Sequence, residues 1–135
     1  MKTTPENITH LAPHQIFVFG SNVQGVHGKG AAKVAEQLFG AVRGVGEGLS
    51  GQSYAIPTRE ILPPTRHHRG LRFHTLEPIE IKWSVNKFIM FAIAHPELEF
   101  FVTPIGCGYA GHKPEDIKPL FHHRVENVIL PECFQ

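Results

Sequence analysis

Apolar positions along the 135-residue chain fall either into short unbroken runs or into spaced sets, and the two patterns predict different elements. Ile16, Phe17, Val18 and Phe19 form a continuous β-branched and aromatic run, as expected of a strand buried on both faces. Gly20, Ser21 and Asn22 end it. A helix is predicted over residues 31–39, with its alanines, Val34, Leu38 and Phe39 forming an apolar face and Gly40 as the C-cap. A second strand is predicted over residues 53–56 and is closed by Pro57. Residues 58–77, which include Pro63 and Pro64, read as one long loop, and loops of that length in small domains are often functional. A helix over 78–95 follows, with Pro78 in its first turn. Ile81, Val85, Phe88, Ile89 and Ala92 recur at spacings of three and four and mark its buried face, and Pro96 stops it. A third buried strand is predicted over 100–105. A short helix opens near Pro114, with Glu115 and Asp116 in the first turn, where the helix dipole favours acids. Residues 128–130 read as the last strand.

The resulting order, β-α-β-α-β-α-β, predicts a single α/β domain over residues 1–135, with a mostly parallel central sheet covered on both faces. Ligands on such sheets bind beyond the carboxyl ends of the strands. Gly28, Lys29 and Gly30 stand there, opening a helix whose first N–H groups have no partner within the helix. Glycine lacks a Cβ, so the backbone can approach an anion closely and form a phosphate cradle. Gly106, Cys107 and Gly108 follow the third strand at the same edge, placed to grip a second phosphate. A tight turn needed for packing explains one such run; two at one edge favour a phosphate site. The glycine-dense residues 44–51 precede the second strand and are expected at the opposite edge, as a mobile connection.

Charge narrows the function classes. Thirteen basic and 12 acidic residues give a net charge of +1, so no bulk nucleic-acid binding is expected. Arg66, His67, His68, Arg69 and Arg72 are a local exception, which reads as a solvated loop ahead of a phosphate contact. No apolar run approaches the roughly 18 residues of a membrane span, and residues 1–10 lack a signal-like apolar stretch, so no membrane partner and a cytoplasmic location are expected. Cys107 and Cys133, the two cysteines, read as reduced thiols. The ten histidines form no HExxH pattern and accompany no CxxC, so neither a metal nor a cofactor is expected. A Walker lysine-serine pair is missing, and so is GxGxxG after the first strand, which argues against triphosphate hydrolysis and Rossmann-type dinucleotide binding.

Four segments in order resemble the macrodomain family. Glu6, Asn7, Ile8, Thr9, His10 and Leu11 resemble its opening Gly-Asp-Ile-Thr-x-Leu. Asn22 with Gly28, Lys29, Gly30, Ala31 and Ala32 resembles its asparagine and glycine-rich first loop. Tyr54, Ala55, Ile56, Pro57, Thr58 and Arg59 resemble the strand ending in Thr-Lys in the branch that cleaves ADP-ribose from carboxylates and DNA bases. Pro104, Ile105, Gly106, Cys107 and Gly108, continued by Ala110 and Gly111, resemble the second phosphate loop.

This likeness, over residues 6–128, implies a three-layer α/β/α fold and a site for an ADP-ribose-type nucleotide, free or attached to a macromolecule. It implies Asn7, with Ile8 beside it, at the adenine amino group. Backbone around Gly28, Gly30 and Ala31, and around Gly106, Cys107, Gly108, Tyr109 and Ala110, would hold the diphosphate. Ser21 and Asn22 would face the distal ribose, Tyr109 would stack on the ligand or wall the cleft, and Thr58 and Arg59 would end the neighbouring strand at the site. No catalytic residue is assigned. Arg59 stands where the branch has a lysine nucleophile, Ala110 stands near its assisting aspartate, and a permanently protonated guanidinium cannot attack. A binding module is therefore the first expectation. An ADP-ribosyl hydrolase working by substrate-assisted water attack is the alternative, with His27 and His112 as the loop histidines within its reach. A phosphoribohydrolase of the lysine-decarboxylase-like type is a weaker match, because its Pro-Gly-Gly-x-Gly-Thr loop is missing.

Overall fold

Strand β1 (Gln15–Asn22) is apolar at consecutive positions because both of its faces are covered. The computed structural model, which describes residues 2–135, continues with α1 (Gly30–Leu38), β2 (Gly48–Ser50), β3 (Ser53–Leu62), β4 (Arg72–Thr75) and α2 (Pro78–Ala94). β5 (Glu99–Val102), α3 (Pro114–Ile117) and β6 (Val128–Ile129) complete the chain, with short 3-10 turns at Lys118–Phe121 and Glu132–Phe134. The sheet order is β2-β3-β1-β5-β6, with β4 pairing the far end of β3. β1 runs parallel to both β3 and β5, and β5 is parallel to β6. β2 and β4 are antiparallel to β3. The fold is mixed α/β with a mostly parallel sheet.

Alternation along β1 separates two cores. Ile16 and Val18 join Ile81, Val85, Phe88, Ile89 and Ala92 of α2, with Phe100 and Val102 of β5. Phe17 and Phe19 join Ala32, Ala35 and Phe39 from the α1 segment. The buried positions of α2 are those its periodicity predicts. The helix opens on a reciprocal capping box between Glu77 and Glu80, with Pro78 in its first turn.

Connectivity explains why the helices part. The chain leaves β1 through α1 toward β3 on one side, then returns over β1 through α2 to β5 on the other. The two helices pack against alternate residues of β1, α1 with Phe17 and Phe19 and α2 with Ile16 and Val18. The loops that follow β1 and β5 therefore diverge, and a crevice opens between them at the carboxyl edge.

Four expectations need correction. Pro57 does not close its strand: β3 continues to Leu62. β2 pairs β3 only as far as Ala55 and the pairing with β4 starts at Arg59, so the outer edge is unpaired where the proline lacks an N–H. Residues 58–77 are not one loop, because β4 folds back on β3 as a short polar edge strand with no apolar run to announce it. Residues 48–50 of the glycine-dense stretch form β2, again an edge strand. β5 stops at Val102, where Thr103 makes one more bond to Val18 and Pro104 follows. Among the described residues, no helix is long and apolar enough to cross a membrane.

Phe88 is fully buried, with its ring 5.0 Å from Tyr54 and 5.3 Å from Phe100. Phe88→Ala is expected to cost about 3–5 kcal/mol in urea denaturation. Trp83→Ala, on the outer side of the same helix and 69% exposed, is expected to change stability by no more than about 0.5 kcal/mol.

Candidate functional site

The loop after β1 is shaped by its own side chains. The Asn22 amide brackets a turn, donating from Nδ2 to the Val26 carbonyl at 2.8 Å and accepting the Val26 N–H at 2.9 Å through Oδ1. Ser21 Oγ donates to the Gly46 carbonyl, and the Gly44 N–H donates to the Gly25 carbonyl at 2.9 Å. The two backbones meet too closely for side chains: a Cβ on Gly46 would lie 2.1 Å from the Val23 oxygen. Residues 44–46 therefore buttress the carboxyl end of β1. This corrects the expected opposite edge: because β2 runs antiparallel to β3, the segment that precedes it lies at the carboxyl edge.

The loop after β5 turns at Gly106, whose φ of +75° suits glycine. His112 donates its N–H to the Gly106 carbonyl at 2.8 Å, and its Nε2 lies 2.7 Å from the Leu76 carbonyl. Thr75 Oγ1 donates to the Ala110 carbonyl at 3.3 Å. The loop is thus fastened to the β4–α2 junction.

Between the loops lies a cleft of about 570 Å³. Gly28, Lys29, Gly30 and Ala31 line it from the first loop, and Gly106, Gly108, Tyr109 and Ala110 from the second. A Cβ added at Gly28 or Gly108 would meet no protein atom within 4 Å. Ser21 and Asn22 also border the cleft, although their side chains are engaged with Gly46 and Val26. Arg59 completes the lining together with Phe73 and Leu71, which come from the β3–β4 hairpin.

Arg59 is held without a carboxylate. Its guanidinium carbon lies 3.9 Å from the Phe73 ring centre and 5.7 Å from that of Tyr109. Lys29 Nζ approaches the same Tyr109 ring at 5.9 Å. Neither cation makes an ion pair with a carboxylate among the described residues. Burial pulls the Arg59 pKa below its ordinary value and Tyr109 opposes that shift; arginine stays charged at neutral pH all the same. The cleft lining contains no Asp, Glu, His or Cys. It is a glycine-walled cavity with two cations set against aromatic rings.

Asn7 and Ile8 line a neighbouring cavity of about 1090 Å³, which shares Ala31, Thr103 and Pro104 with the cleft. The remaining candidates lie elsewhere. Thr58 is buried and donates Oγ1 to the Ser21 carbonyl at 3.1 Å, so it supports the floor of the site from behind. Cys107 packs against the α2-side core. Burial, helped by Cys133 and Asp116, pushes its thiol up to about 11. His27 is buried edge-on against Phe19, with Nδ1 3.4 Å from Glu36, and neither it nor His112 lines the cleft. Phe73 and Leu71 reach the cleft only because the short polar edge strand β4 forms, and no apolar run marks that strand in the sequence. Lys29 was visible between two glycines, and its charge was the signal.

The backbone fit between the first loop and its buttress at Gly46 has a direct test. Gly46→Ala places a methyl against the Asn22 and Val23 oxygens and is expected to cost about 1–3 kcal/mol by thermal or urea unfolding. Gly28→Ala faces open space and is expected to leave stability within about 0.5 kcal/mol. Compared with family models, curated proteins and solved structures, the chain matches none, so the site is read from its own geometry.

Proposed function

We propose that the cleft binds ADP-ribose or a closely related NAD-derived nucleotide, on a domain with the three-layer arrangement of a macrodomain. The observation that carries this reading is the pairing of two glycine loops with two cations, Arg59 and Lys29, in a lining that contains no carboxylate. Backbone N–H groups and fixed positive charge suit a diphosphate. The neighbouring cavity, with Asn7 and Ile8 and three lining residues in common with the cleft, has room for the adenosine end. An amide at Asn7 can accept a hydrogen bond from the adenine amino group, with less charge assistance than aspartate would give. A cavity of about 570 Å³ is within the usual size of small-molecule sites.

Binding is favoured over hydrolysis because the lining offers cations and amides but no side chain suited to deprotonating water. Arg59 serves as an anion contact and not as a nucleophile, since its guanidinium has no free lone pair. Release of free ADP-ribose from a modified macromolecule would move the assignment to substrate-assisted hydrolysis with the same fold and ligand.

Calorimetry is expected to show ADP-ribose binding far more tightly than adenosine or ribose. Arg59→Ala should weaken it by about 1.5–3 kcal/mol, the range for a hydrogen bond to a charged group. Gly28→Val and Gly108→Val should abolish binding while the proteins stay folded, because a Cβ at either position meets no protein atom within 4 Å and the side chain would fill the phosphate path. Equal affinities for ADP-ribose and adenosine would refute the assignment.

A further inference from the structure

The β3–β4 hairpin concentrates positive charge that the nucleotide cleft does not use. Between Ile61 and Leu76 the chain carries Arg66, His67, His68, Arg69, Arg72 and His74 and no acidic residue, although the net charge of the whole chain is only +1. Residues 66–69 are all exposed. Arg72 braces the turn from within, donating Nη2 to the Pro63 carbonyl at 2.7 Å, and a Thr65–His68 bridge closes the tip. Arg66 and Arg69 make no ion pair with a carboxylate among the described residues.

The base of this hairpin reaches the cleft mouth. β4 pairs β3 from Leu62↔Arg72 to Arg59↔Thr75, and Leu71 and Phe73 line the cleft beside Arg59. The hairpin that carries this strip of Arg and His residues thus also carries Arg59 of the cleft at its base. Tyr109, 64% exposed, presents its ring at the mouth.

We propose that this strip is a docking surface for single-stranded nucleic acid. Charge repeated along an extended hairpin suits a chain of phosphates, and an exposed ring gives an unpaired base a face to stack on. A duplex keeps its base faces inside the stack, and a run of Asp and Glu side chains has no aromatic face to stack on the ring. Arg66 and Arg69, which carry its charge, lie outside the nucleotide cleft and only the Tyr109 ring is shared, so substitutions at the arginines and at Gly28 make the two readings fail separately.

The test is fluorescence anisotropy of a labelled single-stranded oligonucleotide of about 16 nucleotides, measured over a salt series beside ADP-ribose calorimetry on the same proteins. Binding is expected to weaken with salt by about 0.7 in log–log slope for each phosphate contacted. Arg66→Ser with Arg69→Ser should flatten that slope by about 1.4 and weaken binding about tenfold or more, leaving ADP-ribose affinity unchanged. Gly28→Val should do the reverse, retaining the oligonucleotide and losing ADP-ribose. The proposal is overturned if the oligonucleotide does not bind at low salt, if the double substitution leaves its binding intact, or if Gly28→Val removes it. Equal binding of a duplex, or equal competition by a poly-glutamate peptide of similar charge, also overturns it. Oligonucleotide binding without ADP-ribose binding would sink the nucleotide reading and leave this one standing.

Discussion

The position of β1 between two parallel neighbours is the constraint from which the rest follows. A chain that steps from β1 to one side and then crosses back to the other sends its helices to opposite faces. The loops leaving β1 and β5 then have no reason to meet, and the gap between them is the cleft. The same position makes each side chain of β1 choose between two cores, which is why Ile16, Phe17, Val18 and Phe19 are all large and apolar. Fold and site are set by one strand.

Around that gap, polar side chains shape the loops, leaving backbone and cations to face the cleft. Ser21 and Asn22 are engaged with Gly46 and Val26, Thr58 holds the Ser21 carbonyl, and His112 closes the second loop onto Leu76. Rigid loops lose little freedom when an anion enters, and that pre-organisation favours affinity. Arg59 follows the same logic in charged form. Stacking against Phe73 and nearness to Tyr109 hold the guanidinium without neutralising it, which leaves its charge unpaired by a carboxylate among the described residues.

Much of this is legible in the residues. The spacing of Ile81, Val85, Phe88, Ile89 and Ala92 identifies the buried face of α2, because a helix that buries one side has to repeat that way. The run from Ile16 to Phe19 marks a central strand for the corresponding reason. Edge strands are different: β2 and β4 carry Gly48, Leu49 and Ser50, and Arg72, Phe73, His74 and Thr75, with little apolar burial to leave a trace. Missing β4 also hid Phe73 and Leu71, and with them the aromatic support of Arg59. The glycine runs point to the carboxyl edge, but the contact of Gly46 with Asn22 and Val23 joins segments distant in sequence, and no local pattern encodes it. The roles of Ser21 and Asn22 as loop braces depend in part on that contact.

The central claim is that backbone amides of the two glycine loops grip one anionic nucleotide. The most direct measurement is a titration of isotopically labelled protein with ADP-ribose, following each backbone amide by nuclear magnetic resonance. The account predicts that the largest shifts fall on the amides of residues 28–31 and 106–110, with the Arg59 side chain moving alongside them. Saturable shifts confined to another surface, or no shifts at millimolar ligand, would contradict it.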